Sequence, residues 1–542
     1  MPNESDAEGT TWTYAVPLEP AKLEVDREYS ETIGEDVVQC VDRLVAVTEG
    51  AAISDGRVSW CFDATGGPVS FSLIWAAHVA EHVFEARNQP TVFKYAERHA
   101  DVKSVIDYAR SAETVLRGRG ELFDSLFIES SLSKTHRDLL AYTFQSYLSN
   151  TWWTSKPDGS DWFSVWEGIC FYNSTIDVEY NLGLIYFALW PELLELTFDE
   201  WAQHENEAET GSFLSHDMGE GCVANAQSYP HQMEIEENAN FILMLHAHWR
   251  WTGSAEPIER HLGLVKRLVA YIEAADTTGN GFPNVGTANT IDDASPAVQY
   301  SNEQTYLGVK CLCALEAVGQ IAENLDEKDF ATLAQGRARL IQETLEKKAW
   351  LDDHYAVCID KDATGLKDAW SGEELPAGEL EGWDAYSLYT SNGMLYPLMV
   401  GLDLPLDVER IREDMLNATR ASLAEYGCTH SSADQSNIWI SQNLWRDFTG
   451  AYLGMDYLDM ATRYWDFLTF ENSRPEGRCF VDTYISNNLS YYPRGITSIG
   501  VLMSSIGLQI DRVEGKVRFS PVRVPCRMPL TALADWENEQ IP

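Results

Sequence analysis

From about residue 101 to 507 the chain repeats one pattern, apolar residues returning at helical spacing in segment after segment. The first stretches are TVFKYAERHADVKSVIDYARSAETVLRGRGELF, with helical character expected from about 91, and KTHRDLLAYTFQSYLSN. VEYNLGLIYFALWPELLELTFDEWAQ, EIEENANFILMLHAHWRWTG, IERHLGLVKRLVAYIEAA and NEQTYLGVKCLCALEAVGQIAENL follow. Helical patterns continue through KDFATLAQGRARLIQETLEKKAWL, the region after Ser391, and 407–425, 437–459 and 494–507. NLGLIYFALWPELLEL is greasy on every side, which predicts a helix buried all round. About a dozen helices joined by Gly/Pro/Asn-rich connections, with no fixed repeat, favour one mainly α domain, an (α/α)6 toroid, over a solenoid.

The ends differ. VSWCFDATGGPVSFSLIWAAHV alternates around a Gly-Gly-Pro break and is read as a pair of strands. GLQIDRVEGKVRFSPVRVP alternates around Glu-Gly and predicts a β-hairpin. The expected division is a β-containing segment over 1–100, the helical domain over 101–507 and a β tail over 508–542.

Charge removes whole classes of partner. Lys+Arg 39 against Asp+Glu 84 gives a formal −45, which repels nucleic acid and anionic membranes. The acids are dispersed rather than gathered in a tail, as expected of a protein kept soluble in strong salt, where its self-repulsion is screened. No apolar run approaches the roughly 20 residues of a spanning helix, and MPNESDAEGTTWTY carries no export signal, so a high-salt cytoplasm is the expected location. The ten cysteines form neither a zinc nor a CxxC pattern and are expected as free, mostly buried thiols.

Acids, amides and aromatics gather in WEGICFYNSTID (166–177), FLSHDMGEGC (213–222), DTTGNGFPNVGTANTIDDASP (276–296), QSNIWISQN (435–443) and DTYISNNLSYYPRG (482–495). Trp166, Tyr172, Trp439, Tyr491 and Tyr492 beside Asp, Asn, His and Arg suit a sugar, whose C–H face packs on rings and whose hydroxyls take bidentate polar groups. Blander readings stand beside this one. Glu167 is also placed to start a helix, Asp292 or Asp293 to cap the next one, and His216-Asp217 to form a structural pair. DTTGNG reads as a Gly-rich turn before a calcium loop, and Glu234, Glu236 and Glu237 as an acidic first turn favoured by the helix dipole.

At those loops the chain resembles glycoside hydrolase family 52, the retaining β-xylosidases, and more distantly the family 116 β-glucosidase relatives. WEGICFYNSTID, FLSHDMG, TIDD followed by YLGVKC, SNIWISQ and YYPRGITS carry the resemblance, in that order, between about residues 50 and 505. It implies a β-xyloside or β-glucoside hydrolase with Glu167 as nucleophile and Asp292 as general acid/base. It further implies Asp177, His216, Asp217, Thr290 and Arg494 as sugar ligands, with Trp439 lining the subsite and no metal or cofactor. The substrate expected is an oligosaccharide or an aryl or alkyl glycoside. Two departures are expected to matter. Only the last strands of the family's N-terminal β-sandwich are expected to remain, which would call for a homo-oligomer or a partner that supplies the rest. The glutamate that the family places nine residues before the YYPRG arginine falls on Ile485, with Asp482 or Asn487 as replacements. Two rivals remain: a glutaminase-A-like amidohydrolase, echoed in HDMG and EIEENAN, and a non-catalytic sugar-binding or scaffold relative.

Overall fold

The computed structural model describes residues 78–79 and 82–529, apart from 369–370, 435–436, 472–478 and 484–488, together with the backbone of eight strands before residue 77. The alternating segment does form strands, Arg57–Asp63 and Ile74–Ala76, but they do not pair with each other. Arg57–Asp63 pairs with Ala51–Ser54 and Thr11–Pro17, and Ile74–Ala76 with Leu44–Ala46. The reason is local. Only Asp55-Gly56 separates the paired residues Ser54 and Arg57, and Asp-Gly is a strong two-residue hairpin signal.

The α-helical pattern starts later than expected, at Val102, because the chain is strand up to Phe93 and a 3-10 turn over Lys94–Glu97. Phe84–Ala86 and Gln89–Phe93 form a hairpin through Arg87 and Asn88, both at positive φ. That hairpin continues into Thr151–Ser155 and Asp161–Val165, themselves joined across Pro157-Asp158-Gly159. The expected boundary at residue 100 thus runs through one sheet, and Pro-Asp-Gly is the turn signal that marks its second hairpin.

The helices follow the apolar periodicity closely. They are α1 (Val102–Ser111), α2 (Glu113–Ile128), α3 (Lys134–Ser149), α4 (Ile176–Leu189), α5 (Pro191–Trp201), α6 (Glu234–Thr252) and α7 (Glu256–Ala274). Then come α8 (Pro296–Tyr300), α9 (Thr305–Asn324), α10 (Lys328–Thr344), α11 (Leu395–Val400), α12 (Val408–Ser422) and α13 (Ile440–Tyr452). All 14 residues of α4 are buried, as expected of a helix greasy on every side. Pro191, which has no N–H to donate, ends that run and opens α5.

Six buried elements form a closed cycle of contacts. α4 packs on α6, α6 on α9, and α9 on the 3-10 turn Asn392–Met394 that leads into α11. α11 packs on α13, α13 on the 3-10 helix Pro493–Gly500, and this last returns to α4. α5 and α7 lie against α6, α10 against α9, and α3 against Pro493–Gly500. The expected helix at 494–507 is 3-10 over Pro493–Gly500 and α-helical over Val501–Ser504. Its glycines permit close contact: a Cβ at Gly495 would stand 2.5 Å from Phe480, and one at Gly500 2.7 Å from Leu184. The C-terminal hairpin is present, Gln509–Asp511 pairing with Lys516–Arg518. Among the described residues no helix is long and apolar enough to cross a membrane, and the eight described cysteines are free, five of them buried.

Candidate active site

The polar loops identified in the sequence meet at the N-terminal ends of the buried elements. Asp177 is the second residue of α4, Glu236 and Glu237 the third and fourth of α6, and Tyr306 the second of α9. Trp439 is the N-cap of α13 and Arg494 the second residue of the 3-10 helix. Helix starts expose unpaired N–H groups and the positive end of the dipole, so this rim tolerates carboxylates better than other buried positions.

A cavity of about 370 Å³ opens there. Glu167, Asp177, His216, Thr290, Asp292 and Trp439 line it, with Cys170, Tyr172, Tyr229, Met233, Asp293, Thr483, Leu489 and Tyr492. Asp217 and Arg494 stand directly behind these walls, so all eight residues singled out from the sequence come together.

Glu167 follows the strand Asp161–Val165 by two residues, and its loop is clamped at both ends. Its N–H donates to the Tyr172 carbonyl, and Ile169 N–H to the Ser490 carbonyl. Gly168 has φ +59, and a Cβ there would lie 2.4 Å from Ser490 O. The Tyr492 hydroxyl donates to Glu167 Oε1 at 3.3 Å. Burial first, and then the charge of Asp177, push the Glu167 carboxyl up to about 8, against the pull of His216 and Arg494.

Asn173 zips this loop to 219–223: its N–H donates to the Gly219 carbonyl and its amide to the Gly221 and Val223 carbonyls. Ile176 N–H reaches the His216 carbonyl, which brings Asp177 beside His216. Asp177 Oδ2 accepts the Thr290 hydroxyl at 2.5 Å, with Arg494 Nη1 at 3.8 Å, while its Oδ1 faces His216 Nε2 at 3.7 Å. Asp217 accepts the N–H groups of Gly219, Ser228 and Tyr229 and holds His216 Nδ1 at 2.9 Å. Burial alone would lower the His216 pKa; the Asp217 hydrogen bond and the charges of Asp177, Asp217 and Glu167 raise it to about 9.

Asp292 takes the Tyr229 hydroxyl on Oδ2 and the Gln299 amide on Oδ1, both at 3.3 Å. Burial, then the charges of Asp177 and Asp293, raise it to about 7. Asp293 sits at φ +57 and Ser295 is the N-cap of α8, so neither aspartate caps that helix.

Arg494 is fully buried between the Trp439 and Tyr492 rings, 4.6 and 5.0 Å from their centroids. It donates to the Thr290 hydroxyl at 2.9 Å and to Asp482 at 3.3 Å. Asp482 also accepts the N–H and hydroxyl of Ser441, so its oxygens are engaged away from the cavity. Ile485 and Asn487 lie outside the described residues.

Two further readings of the sequence hold. Glu236 and Glu237 do form an acidic first turn of α6, and both are buried, at 1% and 0% exposure. Glu236 binds Lys310, the Tyr306 hydroxyl and the Thr290 N–H. DTTGNG is a hydrogen-bonded turn: the Asp276 carboxylate accepts the N–H groups of Gly279, Asn280 and Gly281. Tyr229 and Gln299, which hold Asp292, were not legible, since neither lies in a quoted motif. A second cavity, about 410 Å³ beside the C-terminal hairpin, contains the buried pair Arg250–Asp511, whose charges satisfy each other. The acid pair sits in the smaller cavity. One group there has a donor set suited to a metal: Asp177, His216 and Glu237 each bring a ligand atom within 4.8 Å of the others.

A family model described as the glutaminase A six helical-hairpin domain matches residues 172–368. No match is found among curated proteins. Among solved structures the chain is similar to a GH78 family rhamnosidase of Bacillus sp. GL1, at 16% identity and TM-score 0.42, covering 63% of this chain and 32% of that one. It is also similar to a bacterial glucoamylase complexed with acarbose, at 10% identity and TM-score 0.41, covering 63% of this chain and 48% of that one. A sialidase matches at 11% identity and TM-score 0.48, over 72% of this chain and 35% of its own. The chain thus spans less than half the length of each of these proteins.

Proposed function

We propose that the chain is a glycoside hydrolase in which the six contacting elements form the inner ring of an (α/α)6 toroid over 101–507. Its reaction would be release of a β-linked xylose or glucose from the non-reducing end of an oligosaccharide or an aryl or alkyl glycoside. The observation that carries this reading is the pair of buried carboxyls, Glu167 and Asp292, in one cavity whose other polar walls are hydroxyl-binding groups. Both acids titrate near neutrality, at about 8 and about 7, so together they hold at least one proton there. A retaining pair needs one protonated and one ionised carboxyl.

In the proposed sequence, Asp292 donates its proton to the leaving oxygen and Glu167 attacks the anomeric carbon. Asp292 then takes a proton from water as the water oxygen attacks the anomeric carbon, which breaks the ester bond to Glu167 and releases the sugar. His216 and Arg494, which both lower the Glu167 pKa, are the groups placed to favour its ionised form. Asp177, His216 and Thr290 would take hydroxyls, with Trp439 against the sugar; Asp217 orients His216 and Arg494 orients Thr290 and Asp177.

Supporting the glutaminase-A-like alternative is the family match, which includes Asp177, His216, Asp217 and Asp292 but neither Glu167 nor Arg494. One experiment separates the two. Aryl β-xylosides and β-glucosides are incubated in molar KCl beside a glutamine assay, and the first-formed anomer is read by NMR. The hydrolase reading expects β-configured product and no turnover by Glu167→Gln. Glutamine hydrolysis that persists in Glu167→Gln, with no glycoside cleaved, would favour the rival.

A further inference from the structure

We propose that Asp177, His216 and Glu237 form a binding site for one divalent transition-metal ion at the floor of the cavity. Three observations converge. One ligand atom from each residue lies within 4.8 Å of the other two, and all three side chains are buried. Asp177 Oδ1 and Glu237 Oε1 have no hydrogen-bond partner, although their sister oxygens accept from Thr290 and Asn240. Glu237 Oε1 has no partner and Asp177 Oδ1 has only the His216 ring at 3.7 Å, and carboxylate oxygens at this depth call for a cation or a proton. Finally, Asp217 accepts the His216 Nδ1 hydrogen bond at 2.9 Å, so the opposite nitrogen, Nε2, is the one turned to Asp177. A carboxylate behind a histidine in this way is the usual support of a metal ligand.

The 3.7 Å between His216 Nε2 and Asp177 Oδ1 is long for a hydrogen bond but ordinary for two ligands of a common ion, each about 2.0–2.2 Å from it. The ion would take the place of any proton on Nε2. One imidazole and two carboxylates form a borderline donor set, which suits Zn²⁺ or Mn²⁺ better than the all-oxygen preference of Ca²⁺ or Mg²⁺. Asp177 and His216 line the cavity and Glu237 does not, so the remaining coordination positions face the cavity. If the hydrolase reading holds, those positions meet vicinal sugar hydroxyls; the cation site itself does not depend on that reading.

The test is binding without substrate. Chelator-stripped protein is titrated with ZnCl₂ and with MnCl₂ in molar KCl, which screens adventitious binding to the acidic surface. Affinity and thermal shift are compared among wild type, Glu237→Gln, Asp217→Asn and the surface control Glu409→Gln. The expected result is one equivalent per chain in wild type and control, tenfold or more weaker binding in Glu237→Gln, and about 10–100-fold weaker binding in Asp217→Asn. Circular dichroism confirms that each variant is folded. Equal affinity in wild type and Glu237→Gln, or no saturable binding in wild type, overturns the proposal and leaves a shared proton between the two carboxyls. Glycosides cleaved by a protein that binds no metal would sink this inference and spare the hydrolase reading, and the converse result would do the opposite.

Discussion

Lys310 offers the sharpest test of how the floor of the cavity is held. It is fully buried on α9, and its ammonium reaches Glu236 Oε1 at 2.8 Å, Asn240 Oδ1 at 2.8 Å and the Tyr306 hydroxyl at 2.7 Å. The Tyr180 and Tyr306 rings lie 4.4 and 4.7 Å from it. Lys310→Met keeps most of the stem volume and deletes the charge, leaving the Glu236 carboxylate with only the Tyr306 hydroxyl and the Thr290 N–H. Removing one partner of a buried pair costs about 3–5 kcal/mol. The two remaining donors place Lys310→Met near the lower end of that range, and Glu236→Gln, which strands the ammonium, toward the upper end. The double variant carries no unpaired charge, so its loss should fall short of the sum of the singles by about 2–3 kcal/mol. Urea unfolding followed by tryptophan fluorescence, at one fixed KCl concentration, measures all four proteins. A single variant within about 1 kcal/mol of wild type, or singles that add within about 0.5 kcal/mol, would refute the claim that this pair is coupled and buried.

Other outcomes follow from the same geometry. Burial holds the Glu179 carboxyl, which accepts the Tyr186 hydroxyl, up to about 8 against an ordinary 4.5. The stability this proton gives is complete below about pH 4.5 and is lost as pH rises to about 8; Glu179→Gln should therefore gain on wild type across that window, and a flat difference in thermal midpoint would contradict it. Gly168→Ala should cost about 1–3 kcal/mol, since its φ is +59 and the added methyl meets the Ser490 carbonyl, and it should displace Glu167; unchanged stability and turnover would show that the loop is not clamped. With a formal charge of −45, the thermal midpoint should rise between about 0.1 M and 2 M KCl, and a constant midpoint would show that self-repulsion does not govern stability.

How far this molecule can be read from its sequence depends on the range of the interactions involved. α4 was legible because a helix buried all round leaves an apolar run that needs no partner to be recognised, and α6, α9 and α13 through apolar residues at helical spacing. The gathering of Glu167, Asp177, His216, Asp292 and Arg494 was legible through motifs, whose roles remain proposals. Glu236 and Glu237 were legible as an acidic first turn, but the helix-dipole rule is obeyed equally well by exposed and by buried acids. What separates the two cases is Lys310, 74 positions away in the chain. The strands at 84–93 and 151–165 are not legible from alternation, because each is short and flanked by helical spacing, although Asn88 and Pro157-Asp158-Gly159 mark their turns. Tyr229 and Gln299 acquire their meaning only from where Asp292 comes to rest.

The clamp between the Glu167 loop and residues 490–492 has a consequence for how the protein is made. Glu167 and Tyr492 are 325 positions apart, which at usual translation speeds is roughly 20–60 s of synthesis. Throughout that interval Asp177, Glu236 and Glu237 leave the ribosome without Arg494. The ring of contacts cannot close until its sixth element arrives to lie against the first. The nascent chain therefore carries an unfinished acidic rim for most of its time on the ribosome, and a stalled or shortened product ending before Pro493 would lack the Arg494 guanidinium beside Asp177 and Thr290.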